Sequence, residues 1–182
     1  MTRSLLIITC GAGPASDLGK LVTMAHDVDW EIGVIATQAA LPFLEQAGST
    51  LAADVRSDYR PLTHQSGTRT VSDPDALIIA PATYNTVNKL AAGIADNYAL
   101  TSAAELIGRG VPTVVVPFVN SALAARVPFK RSVIALRDER VYVLLGAHDG
   151  WEPHEPGTGT ARRSAFPWSA ALAIADRLAR GV

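Results

Sequence analysis

IIAPATYNTVNKLAAGIADNYA, residues 78–99, opens as an apolar strand, meets Pro81, and then presents Thr83, Tyr84, Asn85 and Thr86 ahead of an amphipathic stretch. Proline lacks an N–H and ends regular pairing, so the strand is expected to break at Pro81 and a helix to begin near Asn85. Hydroxyl residues before a helix satisfy its orphan N–H groups, so Thr83 and Thr86 read either as caps or as ligand groups. Four hydrogen-bonding side chains at the mouth of a buried strand ask for a partner.

Working outward, the same alternation recurs. SLLIITC ends in GAG and reads as a first strand and turn, with a helix over residues 15–25. WEIGVIAT (residues 30–37) reads as a second strand, and AALPFLEQAG as a short helix stopped at Gly48. A short strand near residues 53–55 precedes a loop rich in Ser, Thr, Gly and Pro. ALIIA is the next strand, followed by helices from about Asn85 and over about residues 101–109. VPTVVVPF is continuous and β-branched, as a strand buried on both faces requires. SALAARVPFKRSVIALRDER reads as helical with an interruption at Pro128, VYVLL as a last strand, and SAALAIADRLARG as a closing helix ending at Gly181. Continuously apolar strands alternating with helices predict an α/β fold, a three-layer arrangement with a parallel sheet between helices. Ligands of such sheets bind beyond the carboxyl ends of the strands. The groups after Thr9, around Thr37, after Ala80 and at Asn120 all fall there.

The totals narrow the function. At 182 residues the chain reads as one domain over residues 1–182, with a Gly- and Pro-rich flexible flap at about 146–166. A formal net charge of −1 argues against nucleic-acid or polybasic membrane binding. The one cysteine, Cys10, excludes an internal disulfide. The N-terminal apolar run, residues 5–8, is too short for a signal peptide, and no stretch reaches the ~18 apolar residues of a membrane span. A cytoplasmic protein is expected. The flap histidines His148 and His154 have no carboxylate or cysteine cluster to form a metal site, and they read as solvent-facing.

CGAGPAS places Gly11, Ala12 and Gly13 just past a strand, where glycine lets backbone N–H groups approach a phosphate at a helix start. Ser16 stands where a dinucleotide fingerprint has its third glycine, and the second strand ends in IATQAA without a ribose-binding acid. NAD binding is therefore disfavoured. A simple tight turn remains the other reading of the glycine pair.

APATYNTVNKLAAGIADN resembles the PASANT motif of the homo-oligomeric flavin-containing cysteine decarboxylases. That family includes phosphopantothenoylcysteine decarboxylases and enzymes that oxidatively decarboxylate C-terminal peptidyl cysteine; flavin prenyltransferases are more distant. IATQAALPFL is similar to its second-strand segment, VVVPFVN stands at its P-x-M-N motif, and GTGTARR stands at its flap. The resemblance implies a flavodoxin-like, Rossmann-like fold that binds FMN as a trimer or dodecamer. Pro81, Ala82, Thr83, Asn85 and Thr86 would then lie against the flavin. Gly11, Ala12, Gly13, Ser16 and Thr37 would approach its phosphate and ribityl chain, with Phe43 packed nearby.

The implied reaction removes hydride from the Cβ of a cysteine, leaving a thioaldehyde that loses CO₂ to give an enethiol. The resemblance gives His64 the role of base, Asn120 that of carboxylate holder and Asn85 a catalytic place beside the flavin; the pair Arg162 and Arg163 reads either as holding an anionic substrate, with Arg162 as the contact, or as solvated surface arginines. The departures are plain. HQSG replaces H-I-x-L at His64, Val119 replaces the methionine before Asn120, and Ala12 replaces a serine. The flap has no cysteine to reduce the product, so the reaction is expected to stop at the enethiol. The substrate is then a small-molecule or peptide thiol carboxylate. Flavin prenyl transfer and a non-catalytic flavin-binding regulatory role stay as alternatives, as do capping by Asn120 and a surface-loop position for His64.

Overall fold

The computed structural model describes residues 3–46, 55–58 and 73–181. His64, the stop at Gly48 and most of the strand expected near residues 53–55 lie outside them. Six strands form one sheet: β1 (Arg3–Thr9), β2 (Trp30–Ala36), β3 (Val55–Arg56), β4 (Ala76–Ala82), β5 (Thr113–Pro117) and β6 (Tyr142–Val143). Every pair is parallel, in the order β3-β2-β1-β4-β5-β6. That is the Rossmann order. Without the two-residue edge strand β3 it becomes the flavodoxin order, so the expected fold class is what the chain adopts. The strand order reverses between β1 and β4, which makes their carboxyl ends the natural crevice.

The helices are α1 (Leu18–His26), α2 (Leu41–Gln46), α3 (Tyr84–Ala91), α4 (Tyr98–Gly108), α5 (Ser121–Ala124), α6 (Val127–Asp138), α7 (Gly159–Arg163) and α8 (Trp168–Ala179). Alternate strand residues face opposite layers. Leu5, Ile7, Ile78, Val114 and Val116 pack under α1 and α8, while Leu6, Ile8, Leu77, Ile79 and Val115 pack under α3, α4 and α6. Both faces are thus covered, which is why the strands are apolar without alternation.

Two prolines differ from expectation. β4 continues through Pro81 to Ala82, with a register irregularity between Ile79 and Ala82 against β5. A bulge is where a central strand tolerates proline, since no ladder N–H is needed there. The Ala80–Pro81 peptide is cis. Pro128 does not interrupt a helix. It stands in the first turn of α6, where a missing N–H costs nothing.

The segment foreseen as a flap is tied to the sheet in this structure. Trp151 is buried and donates through Nε1 to the Pro117 carbonyl at 2.9 Å. Phe118, Trp151, Phe166 and Trp168 form a chain of ring contacts 4.5–6.3 Å apart. Arg163 donates twice to Asp17, from Nε at 2.6 Å and from Nη2 at 2.9 Å, joining α7 to the turn after β1.

Gly11 is fixed by close approach. A Cβ there would lie 2.4 Å from the Ala39 carbonyl oxygen, which is backbone and cannot swing away. Gly11→Ala is expected to destabilise the fold by about 1–3 kcal/mol in urea unfolding, as overpacking does.

The Arg163 guanidinium holds the Asp17 carboxyl below its ordinary range. A depressed carboxylate contributes stability above its unfolded pKa and loses it as pH falls through the folded value. Arg163 is partly exposed, so the pair is worth less than about 1 kcal/mol. Asp17→Asn should lower stability by that amount at pH 7, and the difference from the parent should vanish in unfolding curves taken in acid.

Candidate functional site

Main-chain bonds beyond the ladders knit four strand ends into one rim. Thr37 N–H donates to the Thr9 carbonyl at 3.0 Å, Cys10 N–H to Pro81 at 3.1 Å, and Phe118 N–H to Ala82 at 2.9 Å. Residues 9–13, 37–40, 81–86 and 118–120 therefore share this edge, as the sequence implied.

Along the rim some hydroxyls are consumed and others are left over. Thr83 caps α3, its Oγ1 accepting from Thr86 N–H at 3.2 Å. Thr86 Oγ1 donates to Cys10 Sγ at 3.3 Å. With that hydrogen committed, the 2.9 Å contact between the two hydroxyls is a bond from Thr83 to Thr86. Neither threonine keeps a donor for a ligand. Burial pushes the Cys10 thiol up, so it stays a neutral packing group. Asn85, between the two threonines, is exposed and its side chain has no hydrogen-bond partner among the described residues, so its amide is the polar group of this turn that faces outward. Tyr84 stacks on Phe129 at 5.6 Å and fixes the helix start.

Thr9 Oγ1 and Thr37 Oγ1 are buried with no partner among the described residues. An unmatched buried hydroxyl costs about 1–3 kcal/mol, so two of them at adjacent strand ends fit a bound group that supplies polar atoms. Pro81 and Ala82 are buried beneath the turn, and Phe43 is half-buried on α2. In the turn after β1, Ala12 precedes a 3-10 turn of residues 13–17, and Ser16 Oγ donates back to the Gly13 carbonyl at 3.0 Å. The Ser16 hydroxyl hydrogen is thus already used.

Asn120 caps α5, its Oδ1 accepting from Leu123 N–H at 2.9 Å. The capping alternative is realised, and it leaves the amide hydrogens without a partner among the described residues. Capping fixes which side of the amide faces out. Val119, next to it, is buried in the core. Arg162 lies with its guanidinium carbon 4.2 Å from the Trp151 ring centre, and its Nε is buried without a partner among the described residues. Among the described residues no group of three His, Cys, Asp or Glu could hold a metal ion, and no helix is long and apolar enough to cross a membrane.

Three features escape the sequence reading. Thr9 is the last residue of β1, and its polarity at the end of an apolar strand is the available signal. The aromatic cluster is built from four of the six aromatics that fall between residues 118 and 168, and the sequence does not mark which four. His154, read as solvent-facing, is half-buried, with its ring 4.9 Å from that of Phe118.

The chain is similar in fold to several solved structures. The FMN-dependent cysteine decarboxylase TvaF of thioviridamide biosynthesis matches at 23% identity and TM-score 0.70, over 99% of each chain. The peptidyl-cysteine decarboxylase EpiD matches at 20% identity and TM-score 0.61, over 79% of this chain and 85% of its own. A dodecameric FMN-dependent Ubix-like decarboxylase from Escherichia coli O157:H7 matches at 18% identity and TM-score 0.62, over 78% of each chain. No curated protein matched the chain. The Flavoprotein family model matches residues 2–164, most of the sequence, and the chain belongs to that family.

Proposed function

We propose that the chain binds FMN along this rim and oxidatively decarboxylates a cysteine-type thiol carboxylate, such as the C-terminal cysteine of a peptide, to an enethiol. The observation that carries the reading is the row of polar groups left unmatched at the strand ends: Thr9 and Thr37 Oγ1, buried without partners among the described residues, and the amides of Asn85 and Asn120 on the same rim. The names of TvaF and EpiD point to the same chemistry.

Thr37 and the turn of residues 11–16 would hold the phosphate and ribityl end, with Thr9 beside them. Pro81, Ala82 and the α3 start would lie against the ring, with Asn85 as its polar contact and Phe43 at its side. Bound FMN supplies a two-electron acceptor for the hydride of the substrate Cβ. Asn120 donates from its amide to the substrate carboxylate and orients the bond to be broken, and Arg162 adds positive charge near an anionic group. Phe118 and Trp151 wall this end with apolar surface, which limits water where CO₂ leaves. The thiol needs a proton acceptor, the role that the resemblance gives to His64. With no cysteine in residues 146–166, nothing there reduces the enethiol. We place the reaction in a cytoplasmic homo-oligomer, trimeric or dodecameric, of a single domain whose residues 146–166 act as substrate flap. A prenyl phosphate would ask for more positive charge than α7 offers, because Arg163 is already paired with Asp17.

The test is direct. Purified protein should carry or take up FMN, with flavin absorption, and should convert a cysteine-ended peptide to a product about 46 mass units lighter, the loss of CO₂ and two hydrogens. Protein that stays colourless with added FMN would sink the proposal.

Asn120→Asp separates the two jobs of Asn120. An aspartate keeps the capping oxygen but replaces the donors with a like charge. Thermal stability should hold, while kcat/KM falls about 100-fold or more, the cost of a lost bond to a charged group plus repulsion.

A further inference from the structure

His154 and Gly159 have no part in the reading above, yet they meet beside Asn120. The His154 main chain is bonded into the end of β5, its N–H donating to Val119 at 3.3 Å and its carbonyl accepting from Ser121 at 2.7 Å. Its Nδ1 lies 2.9 Å from the Glu155 carbonyl oxygen. A carbonyl only accepts, so Nδ1 carries the hydrogen, and in the neutral ring Nε2 is left with its lone pair. Gly159 makes room for the ring: a Cβ there would lie 3.3 Å from His154 Cε1 and 3.6 Å from Nε2. Gly159 is not among the glycines with positive φ, so space rather than backbone freedom accounts for it. Of the charges nearby, Glu155 is exposed, Arg162 is stacked on Trp151, and Arg163 is taken by Asp17.

We infer that His154, in place of His64, accepts the substrate thiol proton and later returns it. The inference rests on the decarboxylase reading. A carboxylate held by the Asn120 amide leaves the thiol only a short chain of bonds away, on the side where His154 is bonded to the same turn. The S–H bond breaks and its proton passes to Nε2. With FMN held at the rim, the flavin would supply the two-electron acceptor for a hydride leaving Cβ, and sulfur and carbon would become doubly bonded. The bond from Cα to the carboxylate then breaks, CO₂ departs, and the electron pair moves through the new carbon–carbon double bond to sulfur. Sulfur takes its proton back from Nε2, giving the enethiol.

The experiment compares FMN-loaded wild type, His154→Ala, His154→Gln and His64→Asn on a cysteine-ended peptide, with and without added imidazole. His154→Ala should lose about 100-fold or more in kcat, as removal of a general base does, with KM changed about twofold at most. Imidazole should restore part of that loss, because the ring's place beside Phe118 and Gly159 is then open. His154→Gln should lose as much without rescue, and His64→Asn should lose less. If wild type turns over and both His154 variants keep their kcat, or imidazole leaves His154→Ala unchanged, or His64→Asn loses more, the inference is wrong and the decarboxylase reading stands. A wild type carrying FMN but inert on the peptide overturns both.

Discussion

The bond from Cys10 N–H to the Pro81 carbonyl carries the site. It joins β1 to β4 one step past their ladder, whose register ends at Ile8 and Ile79. Strand order reverses there, so the following loops diverge to opposite faces and open a crevice. The bulge at Ala80–Pro81 turns a carbonyl toward Cys10 and frees β4 from needing an N–H at proline. The neighbouring bonds, Thr37 to Thr9 and Phe118 to Ala82, extend the seam to β2 and β5. Shifting β4 by one residue would invert its faces, sending Ile78 and Ile79 to the wrong layers and detaching every loop from its neighbour.

The sheet was legible because burial on both faces writes itself as uninterrupted Val, Ile, Leu and Ala. Segments such as LLIIT, GVIA and TVVVP need no partner to be recognised. The rim was legible for a related reason: polar residues directly after such runs have one place to go. Proline was misjudged twice, since its effect depends on whether the lost N–H was needed, and that is decided by the neighbouring strand at Pro81 and by helix phase at Pro128. Gly11 reads as a phosphate glycine, and the Ala39 backbone adds a second reason for its missing Cβ, a contact between residues 28 positions apart that no local pattern records. His154 was misplaced for the same reason. A histidine among Gly, Pro and charged residues looks solvated until Phe118 and the β5 turn come up against it.

The residues of the rim share out their atoms. A helix start turns successive side chains by about 100°, so Thr83 and Thr86 face inward together while Asn85 between them faces out. The inward pair closes its own bonds, including the one to Cys10, and makes the turn rigid. The outward residue keeps its amide for a ligand. Asn120 makes the same division within one side chain, with its oxygen spent on the Leu123 N–H and its hydrogens left over. His154 repeats it, with Nδ1 on a carbonyl and Nε2 left over. In each case a bond to the backbone fixes the geometry of the atom that is not bonded. A site built this way enters binding with its polar groups already oriented, so less freedom is lost when a ligand arrives. Capping and ligand recognition are thus complementary here, because each residue performs them with different atoms.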